Sequence, residues 1–113
     1  MDEKVITAAM GIIMHAGDAR LLIYEALTEI SGNDYDSATE KLKEAQKKMT
    51  EAHKIQTDMI QGEARGEGIG YSLLFTHAQD TLMTIYSELK LAKQLYKMFE
   101  SFEQRISKLE KGE

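Results

Sequence analysis

Hydrophobic residues recur every three or four positions through most of the chain, with polar residues between them. This spacing places the apolar side chains on one face of an α-helix. The pattern breaks at residues 31–34 and again at residues 62–70, which divides the chain into three helical segments. We therefore predict an all-α protein, a single domain over residues 1–113 that folds as a three-helix antiparallel bundle.

The first segment is predicted to be helical over about residues 3–30. Its expected buried side consists of Ile6, Ala9, Ile13, Ala16, Ile23, Leu27 and Ile30. Gly32 is predicted to take the left-handed conformation that commonly ends a helix. Asp34 is expected to cap the next helix, because its carboxylate can accept a hydrogen bond from a free backbone N–H.

The second segment has the most regular pattern in the chain. Its stripe steps by three and four residues in strict alternation through Tyr35, Ala38, Leu42, Ala45, Met49, Ala52, Gln56 and Met59. Such a pattern predicts a helix that is buried along one seam. The glycine-rich residues 62–70 that follow lack the lysine and hydroxyl residue that end a phosphate-binding loop, so we interpret them as a flexible connection.

The third segment, residues 71–109, carries two apolar stripes side by side. One consists of Phe75, Ala78, Leu82, Ile85, Leu89, Ala92, Tyr96 and Phe99, and the other of Leu74, His77, Thr81, Thr84, Leu91, Leu95, Met98 and Phe102. A helix that is apolar on two flanks has more surface to bury than two partner helices cover. This feature favours a bundle that associates with copies of itself.

Composition excludes several classes of function. The 113 residues include no cysteine, so a disulfide, a thiol nucleophile and a cysteine–zinc site are all impossible. The net charge of -5 argues against a nucleic-acid partner, which would require a concentrated basic face. The N-terminus lacks a signal-peptide pattern and no uninterrupted apolar run approaches membrane-spanning length, so we expect a cytoplasmic protein without membrane insertion.

His77 has the most suggestive surroundings of the three histidines. Asp80 and Thr81 follow it by three and four residues, so helical geometry makes them its neighbours. A neutral imidazole with such neighbours can act as a covalent nucleophile, although on pattern alone a local polar pair is the commoner interpretation. His15 and His53 are expected to be ordinary surface or boundary residues.

Asp80 has two interpretations. A solvated carboxylate on the helix exterior is the usual one. If this face is instead an oligomer seam, several copies of Asp80 would converge and would have to take up protons or share a cation. Carboxylate ligands favour magnesium or calcium over zinc.

Three stretches of the chain resemble the lactose/cellobiose class of enzyme IIA from the bacterial phosphoenolpyruvate-dependent sugar phosphotransferase system. The most specific is Thr76-His77-Ala78-Gln79-Asp80-Thr81-Leu82-Met83-Thr84. Ala16-Gly17-Asp18-Ala19-Arg20, followed by Glu25-Ala26-Leu27, resembles the family's first helix, and Ala52-His53-Lys54-Ile55-Gln56-Thr57 its second. Length, helix number and helix order agree over nearly the whole chain.

The resemblance implies a phosphotransferase component that assembles as a homotrimer, a nine-helix bundle with the third helices at its centre. His77 would accept a phosphoryl group from HPr and pass it to a cysteine of the cognate enzyme IIB, while a membrane enzyme IIC moves the sugar. Asp80 would bind a divalent cation, usually Mg²⁺, near the trimer axis, and no organic cofactor is implied. Gln79 and Thr81 belong to the same motif and are candidates for positioning the phosphoryl group.

Thr81 departs from the family pattern, because many members have a second histidine at this position. The role of that histidine is therefore not carried over to this chain. The resemblance leaves the sugar open among lactose, cellobiose, chitobiose and other β-glycosides.

The main alternative is a helical interaction module, such as an adaptor or chaperone, without chemistry. Heptad stripes, acidic charge and seven methionines suit a protein that binds partner helices. The motif around His77 distinguishes the two hypotheses, because an adaptor has no need of it. A metal-dependent hydrolase is disfavoured, because no acid–base pair or ligand set extends beyond His77 and Asp80.

Overall fold

The structure, a computed structural model, describes residues 2–113, and these form three long helices. They are α1 (Glu3–Ser31), α2 (Tyr35–Ala64) and α3 (Leu73–Glu110). The described residues contain no β-strand, which confirms the predicted all-α class. The helices begin and end close to the predicted positions, except that α2 continues about one turn into the glycine-rich segment.

Each helix begins at a side chain that accepts a hydrogen bond from a free backbone N–H. Asp2 accepts from Lys4 N at 2.9 Å, Asp34 from Ser37 N at 3.0 Å and Ser72 from Phe75 N at 3.1 Å. These bonds satisfy donors that have no partner inside the helix. The prediction that Asp34 caps α2 is confirmed.

The predicted left-handed conformation of Gly32 is wrong. Gly32 has a φ of -86°, whereas the next residue, Asn33, has a φ of 65°. Asparagine adopts this region more readily than other residues with a side chain, because its short amide can hydrogen-bond locally. The chain therefore reverses at Asn33, one residue later than expected.

Ion pairs show that α1 and α2 run antiparallel. Lys41 Nζ lies 3.0 Å from Glu25 Oε2, and Lys48 Nζ lies 3.8 Å from Asp18 Oδ2. Residue numbers therefore rise along α2 as they fall along α1. The hydrogen bond with Glu25 also raises the pKa of Lys41.

Hydrogen bonds show the same relation between α2 and α3. Thr39 Oγ1 donates to Tyr96 Oη at 2.9 Å near one end of the bundle, and Gln56 Nε2 donates to Gln79 Oε1 at 3.1 Å towards the other. The chain therefore runs up, down and up, with α1 and α3 parallel. The predicted antiparallel three-helix bundle is confirmed.

The core lies along the axis of the bundle, where each helix contributes one stripe. Its largest fully buried side chains are Val5, Ile12, Ile23, Met49, Leu82, Ile85 and Leu89. Fully buried alanines on α1 leave little side chain between neighbouring helices, and a Cβ atom at Gly11 would lie only 3.0 Å from Ile55 Cδ1 of α2. Small residues therefore allow α1 and α2 to approach closely.

The predicted stripe of α2 is confirmed, but that of α1 is only partly correct. Ala9, Ala16, Ile23 and Ile30 are buried as expected. Ile6 is exposed, and Ile13 and Leu27 are half-buried, because Val5, Ile12, Ala19 and Ala26 take the central positions instead. The apolar surface of α1 is wider than its buried face, so the pattern alone does not show which part of it meets the core.

Several large apolar side chains are left outside the core on α1 and α3. We call this set the α1–α3 apolar face; it consists of Met10, Met14, Leu21, Tyr24, Leu73, Leu91, Met98 and Phe102. On α3, Leu91, Met98 and Phe102 belong to the second predicted stripe, the one that contains His77, whereas Leu73 does not. Exposing these side chains to water is unfavourable for a monomer. Their exposure supports the expectation that a partner covers this surface.

Helix α1 is long and apolar enough to cross a membrane by length and composition, with a mean hydropathy of 1.3 in its most apolar window. This finding does not contradict the expectation from uninterrupted apolar runs, because Asp18 and Arg20 interrupt the apolar residues of this helix. A core helix passes the same test, and 33% of that window is buried inside the bundle.

We expect Ile85→Ala to lower the free energy of unfolding by about 2–5 kcal/mol, because it leaves a cavity at a fully buried position. The matched control, Ile60→Ala, removes the same atoms from a half-exposed side chain of α2 and should cost less than about 1 kcal/mol. Urea denaturation followed by circular dichroism, at one protomer concentration, measures both. Equal losses would contradict this assignment of the core.

Candidate functional site

His77 lies in the second turn of α3, and the start of that helix fixes its position. The Ser72 hydroxyl accepts a hydrogen bond from Phe75 N, and the Phe75 side chain is buried in the core. This arrangement turns His77 away from the core, and its side chain is exposed. Within residues 2–113 its imidazole makes no side-chain hydrogen bond or ion pair, so both ring nitrogens are available to a partner.

The structure places Asp80 and Thr81 beside His77 on the same stretch of helix, as their spacing predicts. Asp80 is exposed, and its carboxylate forms no ion pair with any other described residue. Its backbone carbonyl accepts a hydrogen bond from Thr84 Oγ1 at 2.8 Å. Thr81 is half-buried and lies on the side of α3 that continues towards the core.

Apolar side chains surround the histidine. Leu73, one turn before it, is 68% exposed. Leu74 is partly buried and packs against the core. The imidazole is exposed at the edge of the α1–α3 apolar face, and a docking protein can reach it without first opening a pocket.

Gln79 lies elsewhere, in the contact between α2 and α3. It is half-buried, and its Oε1 accepts the hydrogen bond from Gln56 Nε2 at 3.1 Å. This contact explains the single polar position in the stripe of α2, because Gln56 finds a polar partner on the opposite helix. The role of Gln79 in positioning a phosphoryl group stays a prediction.

The other two histidines are boundary residues, in agreement with their sequence context. Both are half-buried, and His15 Nδ1 and His53 Nε2 are buried without a hydrogen-bond partner in the described chain. The His53 ring packs edge-to-face against Tyr86, with ring centroids 5.0 Å apart. A nitrogen that is closed off from solvent in each ring makes these histidines poorer candidates for group transfer than His77.

A single chain does not build a cation site. The described residues contain no group of three or more histidine, aspartate or glutamate side chains that could hold a metal ion. Mg²⁺ is typically bound through one or two carboxylates together with water or phosphate oxygens. The lone exposed carboxylate of Asp80 fits such a role only if further copies of the chain supply additional ligands.

An ion pair not anticipated from the sequence joins α1 and α3 on the same side of the molecule. Arg20 Nε and Nη2 donate to the two carboxylate oxygens of Glu88, each at 3.0 Å. This hydrogen bonding raises the pKa of Arg20. Glu88 interrupts the stripe of His77 about 16 Å farther along the helix axis. The acidic residue within an apolar stripe was the one feature of the sequence that could have indicated an ion pair here. The sequence does not show which basic residue pairs with it.

Comparison with known proteins gives a consistent result. The family model described as "PTS system, Lactose/Cellobiose specific IIA subunit" matches residues 7–100. The lactose-specific EIIA component of the phosphotransferase system of Staphylococcus epidermidis is 38% identical over 97 residues, which cover 86% of this chain and 93% of that protein. The match includes all of the candidate site and most of each helix.

Solved structures with the same fold agree. The cellobiose-specific enzyme IIA of Bacillus anthracis superposes with a TM-score of 0.86 at 33% identity, covering 92% of this chain and 95% of that one. The chitobiose IIA of Escherichia coli, solved in solution as a complex with HPr, gives a TM-score of 0.78 at 31% identity, covering 91% of this chain and 99% of that one.

A double-mutant cycle tests the contact between Gln56 and Gln79. We expect Gln56→Ala and Gln79→Ala to show a coupling of about 0.5–1.5 kcal/mol in the free energy of unfolding, because each leaves the other amide without its partner. The control cycle pairs Gln79→Ala with Gln61→Ala, an exposed glutamine of α2, and should show no coupling. Independent effects of the first pair in urea denaturation would refute the contact.

Proposed function

This chain belongs to the lactose/cellobiose-specific IIA family of the sugar phosphotransferase system, and we propose that it carries a phosphoryl group on His77. The resemblance drawn from the sequence is thereby confirmed, and the chain is a phosphotransferase-system component. The observation that carries the assignment of the residue is exposure: His77 is the one histidine of the three with an exposed side chain. A nucleophile that serves two protein partners in turn has to stand open to both.

We propose HPr as the phosphoryl donor and a cysteine of the cognate enzyme IIB as the acceptor. In the first step the P–N bond of the donor phosphohistidine breaks as a ring nitrogen of His77 forms a new P–N bond. In the second that bond breaks as the cysteine sulfur forms a P–S bond. The solution complex of the E. coli relative with HPr supports the first partner.

The chain contributes positioning rather than elaborate chemistry to these steps. Phosphoryl transfer requires an in-line approach and stabilisation of charge on the equatorial oxygens. The capped start of α3 holds His77 in place, and its exposed imidazole is open to a docking protein. The Thr81 hydroxyl, next to His77 on the helix, is the nearest candidate to donate to a phosphoryl oxygen.

We further propose that the chain assembles as a homotrimer through the α1–α3 apolar face. Leu91, 63% exposed, and Met14, 64% exposed, are typical of this surface and would be costly to leave in water. The same surface accounts for the apolar character of α1 without a membrane. We therefore infer a cytoplasmic protein that meets the membrane component only through its partners.

In such a trimer Asp80 is the residue that would hold a divalent cation, with Mg²⁺ the first candidate. One carboxylate from each copy would supply the oxygen ligands that a single chain lacks. A bound cation would neutralise like charges that otherwise repel one another at the subunit contact. This role is structural, because no step of the transfer requires the cation.

We expect His77→Gln to abolish phosphorylation. Intact-mass spectrometry after incubation with phosphoenolpyruvate, enzyme I and HPr should show an acid-labile gain of one phosphoryl group in the wild type and none in this variant. His15→Gln and His53→Gln, with helical content checked by circular dichroism, are the controls and should still be phosphorylated. Phosphorylation of the His77 variant would contradict the proposal. So would the lack of phosphorylation of the folded wild type when a compatible HPr is supplied.

We expect millimolar Mg²⁺ to raise the thermal midpoint of the wild type by a few degrees and to leave that of Asp80→Asn unchanged. Without metal the variant should melt above the wild type, because it removes like charges that converge at the subunit contact. Asp58→Asn, at an exposed aspartate of α2, is the control and should behave as the wild type. Sedimentation velocity reports the oligomer, and a monomeric wild type would rule out the arrangement.

A further inference from the structure

The least extensive helix–helix contact in the bundle is the one between α2 and α3. An open groove remains between these helices in the half of the bundle away from His77. Two adjoining cavities of about 720 and 250 Å³ lie along it, and both are lined by Leu42, Lys93 and Tyr96. Lys93 follows His77 by 16 residues, so the groove is centred about 24 Å away along the axis of α3.

The groove has an apolar floor. Leu42 is buried at its base, and the Tyr96 ring packs edge-to-face against Tyr35 with centroids 5.5 Å apart. The Tyr96 hydroxyl accepts a hydrogen bond from Thr39 and donates one to Glu100. The aromatic ring is thereby held in one position, with part of its surface open to the groove.

Lysines form the rim. We call the feature the lysine groove; its basic lining residues are Lys43, Lys90, Lys93 and Lys97, against one acidic residue, Glu100. The chain as a whole has a net charge of -5, so this concentration of positive charge is local.

Lys43 pairs with Glu40 on its own helix at 3.9 Å, but the three groove lysines of α3 differ from the basic residues on the other side of α2 in having no acidic partner among the described residues. Within the described residues, Lys90, Lys93 and Lys97 have no carboxylate within 4.0 Å of the ammonium nitrogen. Lys90 lies over the Tyr86 ring at 4.8 Å, and Lys93 donates to the neutral side chain of Gln46. By contrast, Lys41 and Lys48 pair with carboxylates of α1. The lysines at the α1–α2 contact are therefore paired with carboxylates, whereas the α2–α3 groove keeps a positive charge.

We propose that the lysine groove is a docking surface for an acidic amphipathic helix of a partner protein. Its apolar floor would receive large aliphatic or aromatic side chains, and its rim would pair with glutamates or aspartates on the flanks of that helix. Lys90, Lys93 and Lys97 are spread over about two turns of α3, roughly 10 Å, so a single small anion does not reach all three.

The concave shape decides between a peptide and a membrane. A flat anionic bilayer would meet the lysine rim but not the buried Leu42 at the floor, whereas a helix laid in the groove contacts both. The groove lies on the α2 side of α3, and the α1–α3 apolar face lies on the other. A helix can therefore bind in the groove while His77 contacts the phosphoryl donor or acceptor. The lysine groove is thus separate from the proposed transfer site.

The test uses a synthetic helical peptide of about 18 residues, with leucines on one face and glutamates on the other. Nuclear magnetic resonance titration of the ¹⁵N-labelled full chain should show binding, with shift changes centred on Leu42 and Tyr96. The triple variant Lys90→Gln, Lys93→Gln and Lys97→Gln should weaken binding by about tenfold or more. A peptide with lysines in place of the glutamates should not bind.

The matched control, Lys4→Gln, Lys108→Gln and Lys111→Gln, makes the same change in charge outside the groove and should bind as the wild type. Equal weakening of both variants, shift changes elsewhere, or no binding to the wild type would overturn the proposal. So would groove-dependent binding to phosphatidylglycerol vesicles in place of the peptide. Phosphorylation of the groove variant by HPr is followed in parallel and should be unchanged, so failure here is distinct from failure of the carrier assignment.

Discussion

The burial of α1 between α2 and α3 holds this molecule together. Its four fully buried alanines, Ala9, Ala16, Ala19 and Ala26, and the contact of Gly11 with Ile55 let the neighbouring helices approach closely. Dispersion contacts and the removal of apolar surface from water both depend on such close approach. The ion pair of Arg20 with Glu88 and that of Lys41 with Glu25 lie at the edges of these contacts, where they select the pairing of helices more than they add stability.

The close packing of α1 determines what the other two helices do not cover. Because both pack mainly on α1, they leave the groove between α2 and α3 open, and the outer flank of α3 remains exposed with His77 on it. One flank of α3 is apolar and carries the candidate nucleophile, and the other carries lysines that have no acidic partner in the described part of the chain. The same arrangement therefore produces two surfaces of different chemistry, suited to different partners.

A carrier works by exposure more than by a built pocket. It receives a phosphoryl group from one protein and gives it to another, so its nucleophile has to be accessible and correctly oriented rather than enclosed. The capped, rigid start of α3 provides the orientation, and the open apolar surface around His77 provides access.

The sequence by itself determined the helices and the local set of site residues. Helical periodicity is a short-range property, so the stripe of α2, the cap at Asp34 and the placement of Asp80 and Thr81 beside His77 followed from spacing alone. It also carried the family resemblance, because the motif around His77 is contiguous.

The tertiary structure decided which part of the wide apolar surface of α1 faces the core, and that Asn33 rather than Gly32 reverses the chain. It alone brought together Gln56 with Gln79, Arg20 with Glu88, and Lys43 of α2 with the lysines of α3 along the groove. Those pairs are distant in sequence, and their meeting depends on how three helices rotate and shift against one another to fill the core, which no local pattern records.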